Sequence, residues 1–316
     1  PLLENYGYDE SAVFNGPGKQ TDGWKVYDDT IEFINKNKDG PFFINLWIHE
    51  PHTPHYVDPK MMTKYAHLGE QEQVYAAIVG GADEKIGRVL KSLRDNGLEN
   101  NTIVIFSSDN GAEQTGTEEK RYFRHDPDAK IAGIEPLGTL FSVGSSGGLR
   151  GGKRHTYEGG VRVPLIVRWP GKVPAGVVNT TSLVSSVDFL PTFADLVKIT
   201  LPNNYKSDGE SVLPLLKGEL VKRQKPIFWE WYYQPIKEDR DYDKSMLVVR
   251  DGDWKLFLDR THNKTELYNV MQDRAEARNL AEKYPSKVKK LSTLALNWKS
   301  TLPRKPDQRA FSSLRK

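Results

Sequence analysis

At 316 residues the chain exceeds one small domain, and 37% hydrophobic content suits a large α/β domain with an appendage. Its 45 basic and 42 acidic residues leave a formal charge of +3, which excludes a dominant field for nucleic acid but leaves a locally basic pocket open. The absence of cysteine excludes disulfides, thiolate metal sites and a thiol nucleophile within these residues, and no apolar run approaches bilayer-spanning length. The opening Pro1-Leu2-Leu3, without an initiator Met, reads as the interior of a longer chain.

Residues 1–20 are rich in Gly, Asn and Asp and read as surface loop. From Asp22 to Asn37, the residues Trp24, Tyr27, Ile31 and Ile34 recur at helical spacing, and Lys38-Asp39-Gly40-Pro41 ends the helix. Phe42 to Ile48 is almost continuously apolar, the pattern of a strand covered on both faces. It leads into His49-Glu50-Pro51-His52-Thr53-Pro54-His55, whose three histidines suit either a metal site or a rigid, proline-held surface loop.

Between Glu70 and Asn96, the residues Val74, Ile78, Ile86, Val89, Leu90 and Leu93 trace one face of a long helix that Gly97 closes. Ile103 to Phe106 is a β-branched strand that breaks into Ser107-Ser108-Asp109-Asn110-Gly111. Strand, helix, strand in this order predicts a right-handed βαβ unit in a largely parallel sheet. The Asp109-Asn110 pair therefore sits at a strand's carboxyl end, where open α/β sheets bind ligands. A carboxylate beside an amide oxygen suits a hard cation, and Asp-Asn-Gly is equally good turn chemistry.

Residues 112–148 lack periodicity and mix Glu118, Glu119, Lys120, Arg121 and Arg124 with Tyr122, Phe123 and His125, which is the profile of a functional or mobile loop. Gly147-Gly148-Leu149-Arg150-Gly151-Gly152-Lys153-Arg154-His155 follows, and Tyr157-Glu158-Gly159-Gly160-Val161-Arg162-Val163-Pro164 completes the segment. Glycines around cations either let backbone and side chain approach an anion or form a flexible loop with solvated charges. Glu158 is a candidate structural partner for the glycine-loop amides or for Arg162.

Leu165-Ile166-Val167 reads as a strand closed by Trp169-Pro170-Gly171, and Val187 to Ile199 as a helix with Pro191 in its first turn. Beyond Leu201 the composition turns polar and proline-broken, which sets a large domain of 1–215 against a C-terminal subdomain of 216–316. Ile227 to Tyr233, Met246 to Arg250, Trp254 to Leu258 and Glu266 to Tyr268 read as short strands, with Asp251-Gly252-Asp253 a hairpin signal. Pro285 to Trp298 is a last helix carrying Val288, Leu291, Leu294, Ala295 and Trp298 on one face, so this subdomain is a small antiparallel sheet with a packed helix.

Taken in order, these motifs resemble the central and C-terminal portion of the formylglycine-dependent sulfatases of the alkaline phosphatase superfamily. The likeness rests on Pro51-His52-Thr53-Pro54, Ser108-Asp109-Asn110-Gly111, Gly151-Gly152-Lys153 and Tyr157 to Pro164. It continues in Trp169-Pro170-Gly171, Asp188-Phe189-Leu190-Pro191-Thr192 and Trp254-Lys255-Leu256, and within the family the chain resembles arylsulfatase and N-acetylgalactosamine-6-sulfatase relatives.

The resemblance implies an α/β fold with a mostly parallel, alkaline-phosphatase-like central sheet flanked by helices. Asp109 and Asn110 would be ligands of Ca²⁺, with Mg²⁺ the weaker alternative, Lys153 would contact a sulfate oxygen, and His52 would bind the sulfate and protonate the leaving alcohol. His55, Arg150, Arg154 and His155 are candidate substrate contacts, and Tyr122, Phe123 and Trp231 candidate stacking surfaces for a sugar ring, with core packing the alternative for Trp231. An Asn where phosphodiesterase relatives often carry His favours a hard-oxygen cation over zinc. The substrate would be a sulfated small molecule or glycan, and the compartment secreted, periplasmic or lysosomal. The family's Cys/Ser-x-Pro/Ala-x-Arg nucleophile motif and its paired metal-binding aspartates have no counterpart in these residues, so the chain alone is expected to be inactive. Two other readings are a phosphodiesterase or phosphatase of the same superfamily and a non-catalytic binder of sulfated glycans.

Overall fold

The computed structural model describes residues 7–11, 25–52, 55, 57–113, 142–231, 246–260 and 263–304. Trp24, Tyr122 and Phe123 lie outside them, as do Thr53 and Pro54 and most of the 112–148 segment. The chain groups into two compact units, one of residues 2–104 and 113–145, the other chiefly of 105–112 and 146–316.

The first unit is helical. α1 (Lys25–Asn37) buries Tyr27, Thr30 and Ile34, three positions on one helical face. It packs on α3 (Glu70–Asp95), and Asn96 just beyond α3 donates its side-chain amide to Asn35 at 2.7 Å. Asn96 caps α3, and Gly97 takes φ of 71°, the left-handed turn expected where the periodicity stops. The short α2 (Pro59–Lys64) begins with Asp58 accepting from Lys60 N–H and presses Met61 onto Val57, Val74, Ala77 and Ile78.

Residues 41–49 depart from the sequence reading. They form no strand ladder among the described residues, and exposure alternates along them, with Phe43 59% and Trp47 80% accessible. A continuous apolar run predicts cover on both faces, and with no strand paired to it among the described residues every second side chain is left outside.

In the second unit, β1 (Val104–Ser107) pairs with β2 (Leu165–Arg168) in a two-stranded sheet. The helix expected from Val187 forms as a 3₁₀ turn at Ser186–Asp188 followed by α5 (Phe189–Leu196), because the Asp188 carboxylate accepts from Ser185 N–H at 2.8 Å and from Glu210 N–H at 3.0 Å. Arg223 Nη1 completes the neutralisation of this fully buried Asp188 at 2.6 Å, and the short α6 (Leu213–Leu216) follows α5.

The predicted antiparallel sheet forms from β3 (Ile227–Trp231), β4 (Met246–Asp251), β5 (Trp254–Asp259) and β6 (Lys264–Asn269), in that order. Asp251 faces Trp254, so Gly252 and Asp253 form the two-residue turn, with Gly252 at φ of 59°. Trp231 ends β3 half-buried.

Strand alternation gives this sheet two buried faces. Leu247, Val249, Leu256 and Leu267 face α7 (Pro285–Ser300), which buries Leu291 and Ala295 against them. Each fully buried Leu or Val contributes roughly 1.5–3 kcal/mol. The opposite face carries Val248, Phe257 and Tyr268, packed with Tyr157 and Trp229. Tyr157 of the glycine-rich segment packs on that second face, within the compact unit that holds residues 146–316.

Candidate active site

β1 ends by releasing the chain into Ser108-Asp109-Asn110-Gly111. Ser108 Oγ donates to Asn110 O at 2.8 Å, and Asp109 Oδ1 accepts from Asn110 N–H at 2.8 Å. Asn110 Nδ2 donates to Gly111 O at 3.0 Å, which fixes the amide so that its Oδ1 is the outward acceptor. Asp109 is exposed, and its Oδ2 and the Asn110 Oδ1 meet no donor among the described residues. Two adjacent hard oxygens thus stand unspent.

The glycine loop is attached to this strand end by its backbone. Lys153 N–H donates to Ala112 O at 2.8 Å, and Gly111 N–H donates to Gly160 O at 2.9 Å. Gly160 lies in α4 (Glu158–Val161), whose Gly159 N–H reaches back to Arg150 O at 2.8 Å. A Cβ on Gly111 would sit 1.7 Å from Gly159 O, and one on Gly160 would sit 2.0 Å from His155 O. Glycine here permits main chain to touch main chain, which makes the loop a fixed cradle where composition also allowed a flexible one.

The sequence-predicted residues divide between the two units. Asp109, Asn110, Arg150, Lys153, Arg154 and His155 belong to the second unit, and His52 and His55 to the first. Lys153 is half-buried, while Arg154 and His155 are exposed, with the His155 ring stacked 6.4 Å from Tyr157. The Arg150 guanidinium lies 3.8 Å over the Tyr157 ring, donates to Tyr268 Oη at 2.8 Å and Glu276 O at 3.1 Å, and meets Glu266 at 3.3 Å. These contacts make it a tie between the loop and the C-terminal sheet.

In the first unit, His52 is exposed, its N–H donates to His49 O at 2.8 Å, and the two rings lie 5.1 Å apart. Glu50 anchors the same loop through Lys85 at 2.8 Å and Tyr27 Oη at 3.3 Å. His55 is buried, its Nε2 3.1 Å from Pro51 O and its Nδ1 without a hydrogen-bond partner. Burial pushes its imidazole down to about 4, so it is neutral at physiological pH. His49, His52 and His55 do not converge: no group of three His, Asp or Glu suited to a metal occurs among the described residues.

Below the cradle is an ionic cluster around Glu158, whose pairing with Arg162 the sequence suggests and whose partners Lys255, Arg250 and Glu276 it does not. Glu158 is 1% exposed and meets Lys255 Nζ at 2.9 Å, Arg250 at 3.4 Å and Arg162 at 3.5 Å. Its backbone N–H donates to Glu276 Oε2 at 2.6 Å, and Glu276 Oε1 lies 3.2 Å from Lys255 Nζ without directed hydrogen-bond geometry. Burial pushes the Glu158 carboxyl up, but the three cations outweigh it and hold the group below the usual carboxylate range. For Glu276, burial prevails over Lys255 and raises the carboxyl. The signal for this cluster was Lys255 itself, a cation at an inward position of the otherwise apolar Trp-Lys-Leu-Phe-Leu strand.

The family model described as sulfatase matches residues 1–199, and that of the C-terminal region of N-sulphoglucosamine sulphohydrolase matches residues 151–298. An uncharacterised sulfatase of Escherichia coli K12 is 28% identical over 90% of this chain and 52% of its own length. A sulfatase of Formosa agariphila is 30% identical over 78% and 43%, and an N-acetylgalactosamine-6-O-sulfatase of Bacteroides thetaiotaomicron is 27% identical over 83% and 48%. The chain spans about half the length of these relatives. Among solved structures, a 6S-sulfatase from a Bacteroides thetaiotaomicron glycosaminoglycan locus superposes with a TM-score of 0.65 at 25% identity, covering 88% of this chain and 54% of that one. A Pseudoalteromonas sulfatase superposes at 0.63 with 22% identity, covering 96% and 57%. The fold is that of these neighbours, α/β and alkaline-phosphatase-like.

Proposed function

The chain belongs to the sulfatase family, and on that footing we propose that the protein hydrolyses a sulfate monoester, with a carbohydrate sulfate as the substrate class. The observation that carries this reading is the joining of the Asp109-Asn110 strand end to the Lys153 loop through two backbone hydrogen bonds, Lys153 N–H to Ala112 O and Gly111 N–H to Gly160 O. It puts unspent hard oxygens and a cation on one rigid frame. The N-acetylgalactosamine-6-O-sulfatase relative and the glycosaminoglycan-locus neighbour support a sugar as the alcohol.

Ca²⁺ prefers six to eight oxygen ligands. Asp109 Oδ2 and Asn110 Oδ1 fit its chemistry and would supply two, so further donors must come from elsewhere. When bound, the ion would neutralise charge on the sulfonyl oxygens. Lys153 would hold one of those oxygens as a point charge, and its value rises as the bridging oxygen gains charge in the transition state. His52, on its exposed loop, would carry the proton that the departing alcohol needs. The attacking group would be a formylglycine hydrate from outside these residues.

The test is turnover by the full-length protein of 4-nitrophenyl sulfate and of sulfated monosaccharides, with and without a Ca²⁺ chelator. Expected are sulfate release, its loss on chelation, and its loss in Asp109→Ala with unchanged circular dichroism. Preference for phosphate esters would instead point to a phosphodiesterase, and binding of sulfated sugars without turnover to a glycan-binding protein.

A further inference from the structure

The cluster beneath the cradle lies on the sheet face opposite α7, where Lys255 Nζ is 5.2 Å from the Phe257 ring centroid and 5.6 Å from that of Trp229. Lys255 and Glu276 are each fully buried. Removing an ion pair from water is costly, and hydrophobic residues of similar volume are often as stable or more so. What this pair specifies is position.

The connections run one way through α4. Lys255 Nζ, on β5, holds Glu158 Oε1 at 2.9 Å, and Glu276 Oε2 accepts Glu158 N–H at 2.6 Å, so side chain and main chain of one helix residue are held together. One residue on, Gly159 N–H holds Arg150 O at 2.8 Å, and Gly160 O receives Gly111 N–H at 2.9 Å. Glycines at 111, 159 and 160 leave no side chain to absorb a shift, since their Cβ positions would fall 1.7–2.3 Å from neighbouring carbonyl oxygens. A displacement of Glu158 therefore passes through backbone to Gly111, next to Asn110, and to the loop of Lys153.

We propose that Lys255 and Glu276 are positioning residues: acting through Glu158 and α4, they set the geometry between the Asp109-Asn110 oxygens and Lys153. The C-terminal sheet is thereby part of the apparatus that aligns the groups holding the sulfate. The catalytic side of this assignment rests on the proposed sulfatase reading; the mechanical side does not.

Amide hydrogen exchange on the full-length protein tests the mechanical side. Lys255→Met removes the cation at similar length, and Glu276→Gln keeps an acceptor for Glu158 N–H while removing its charge, so the second variant retains the fold if the first does not. Expected is about tenfold faster exchange at Gly111, Lys153 and Gly159 in Lys255→Met, a smaller increase in Glu276→Gln, and unchanged exchange at Val248 and Phe257. Unchanged exchange at Gly111 and Lys153 in both variants, or acceleration confined to the sheet, overturns the proposal. Turnover is read in parallel. An inactive wild type refutes the sulfatase reading and leaves the exchange result standing; an active wild type whose Glu276→Gln form keeps both kcat and KM despite faster exchange overturns the catalytic side.

Discussion

His55 gives the sharpest prediction of pH dependence. The ring is 1% exposed, and its 3.1 Å contact to Pro51 O requires the proton on Nε2. The next proton must go to Nδ1, which has no acceptor, so it would create a buried cation. Burial is the leading cause of the depression to about 4; the Pro51 carbonyl opposes it and His52 adds to it. The unfolded imidazole binds its proton near the ordinary 6.5. Between these values the unfolded state holds more protons, so stability is complete above 6.5 and is lost as pH falls toward 4. At pH 5 the loss is about 2 kcal/mol, from roughly one and a half decades of preferential proton uptake at 1.36 kcal/mol each. Glu158 does not obscure this, because its carboxyl is held below the usual range and its contribution is lost only below about pH 4.5. The assay compares urea unfolding of wild type and His55→Gln at pH 7.5 and 5.0, the glutamine amide replacing the donor to Pro51 O. Wild type should lose about 2 kcal/mol more than the variant between the two pH values. Equal losses, or a His55 resonance titrating near 6.5 by NMR, would refute the reasoning.

Gly111→Ala should destabilise by roughly 1–3 kcal/mol, because its Cβ meets a backbone oxygen that cannot rotate away, and thermal melting checks it. Arg150→Ala should cost about 2–3 kcal/mol in urea unfolding by stripping charged hydrogen bonds and the Tyr157 stack. If Arg150 serves only as a tie, turnover per folded molecule is preserved in that variant; a raised KM would show that it also touches substrate. Lys153→Ala should lower kcat/KM on sulfate esters by about 100-fold or more in the full-length protein, with circular dichroism confirming that the variant is folded. Glu158→Gln should destabilise by roughly 3–5 kcal/mol, because Lys255 and Arg250 lose their buried counter-charge, as chemical denaturation would measure.

Residues whose role follows from chain period or chemical type were legible in the sequence. α3 and α7 emerge from a spacing of 3.6 because burial of one face is what forms them, and the four strands emerge as short apolar runs bounded by turn signals. Asp109-Asn110 was legible as an oxygen pair at a strand end, and the choice between turn and ligand was not, since both demand the same three residues. Phe43 and Trp47 misled because apolar character encodes what could be covered, and covering requires strands that residues 41–49 do not have here. His55 sits on a histidine-rich loop that offers it as a substrate contact, and that its ring is buried 3.1 Å from Pro51 O is set by the fold and not by any local pattern.

The glycine-rich segment is the most instructive case. In sequence, Gly151-Gly152 and Gly159-Gly160 allow both a mobile loop and a rigid one, because glycine permits left-handed torsions and close backbone approach alike. The decision lies at long range, in Gly111 against Gly159 and in Glu158 against Lys255 and Glu276, residues 97 and 118 positions away. No local pattern encodes a pairing of that separation. What the sequence does carry is its trace: a lysine at the centre of an apolar strand and a glutamate beside two glycines, each costly to bury alone and tolerable only together. Buried charges of opposite sign on separate elements thus point to a shared location before any motif does.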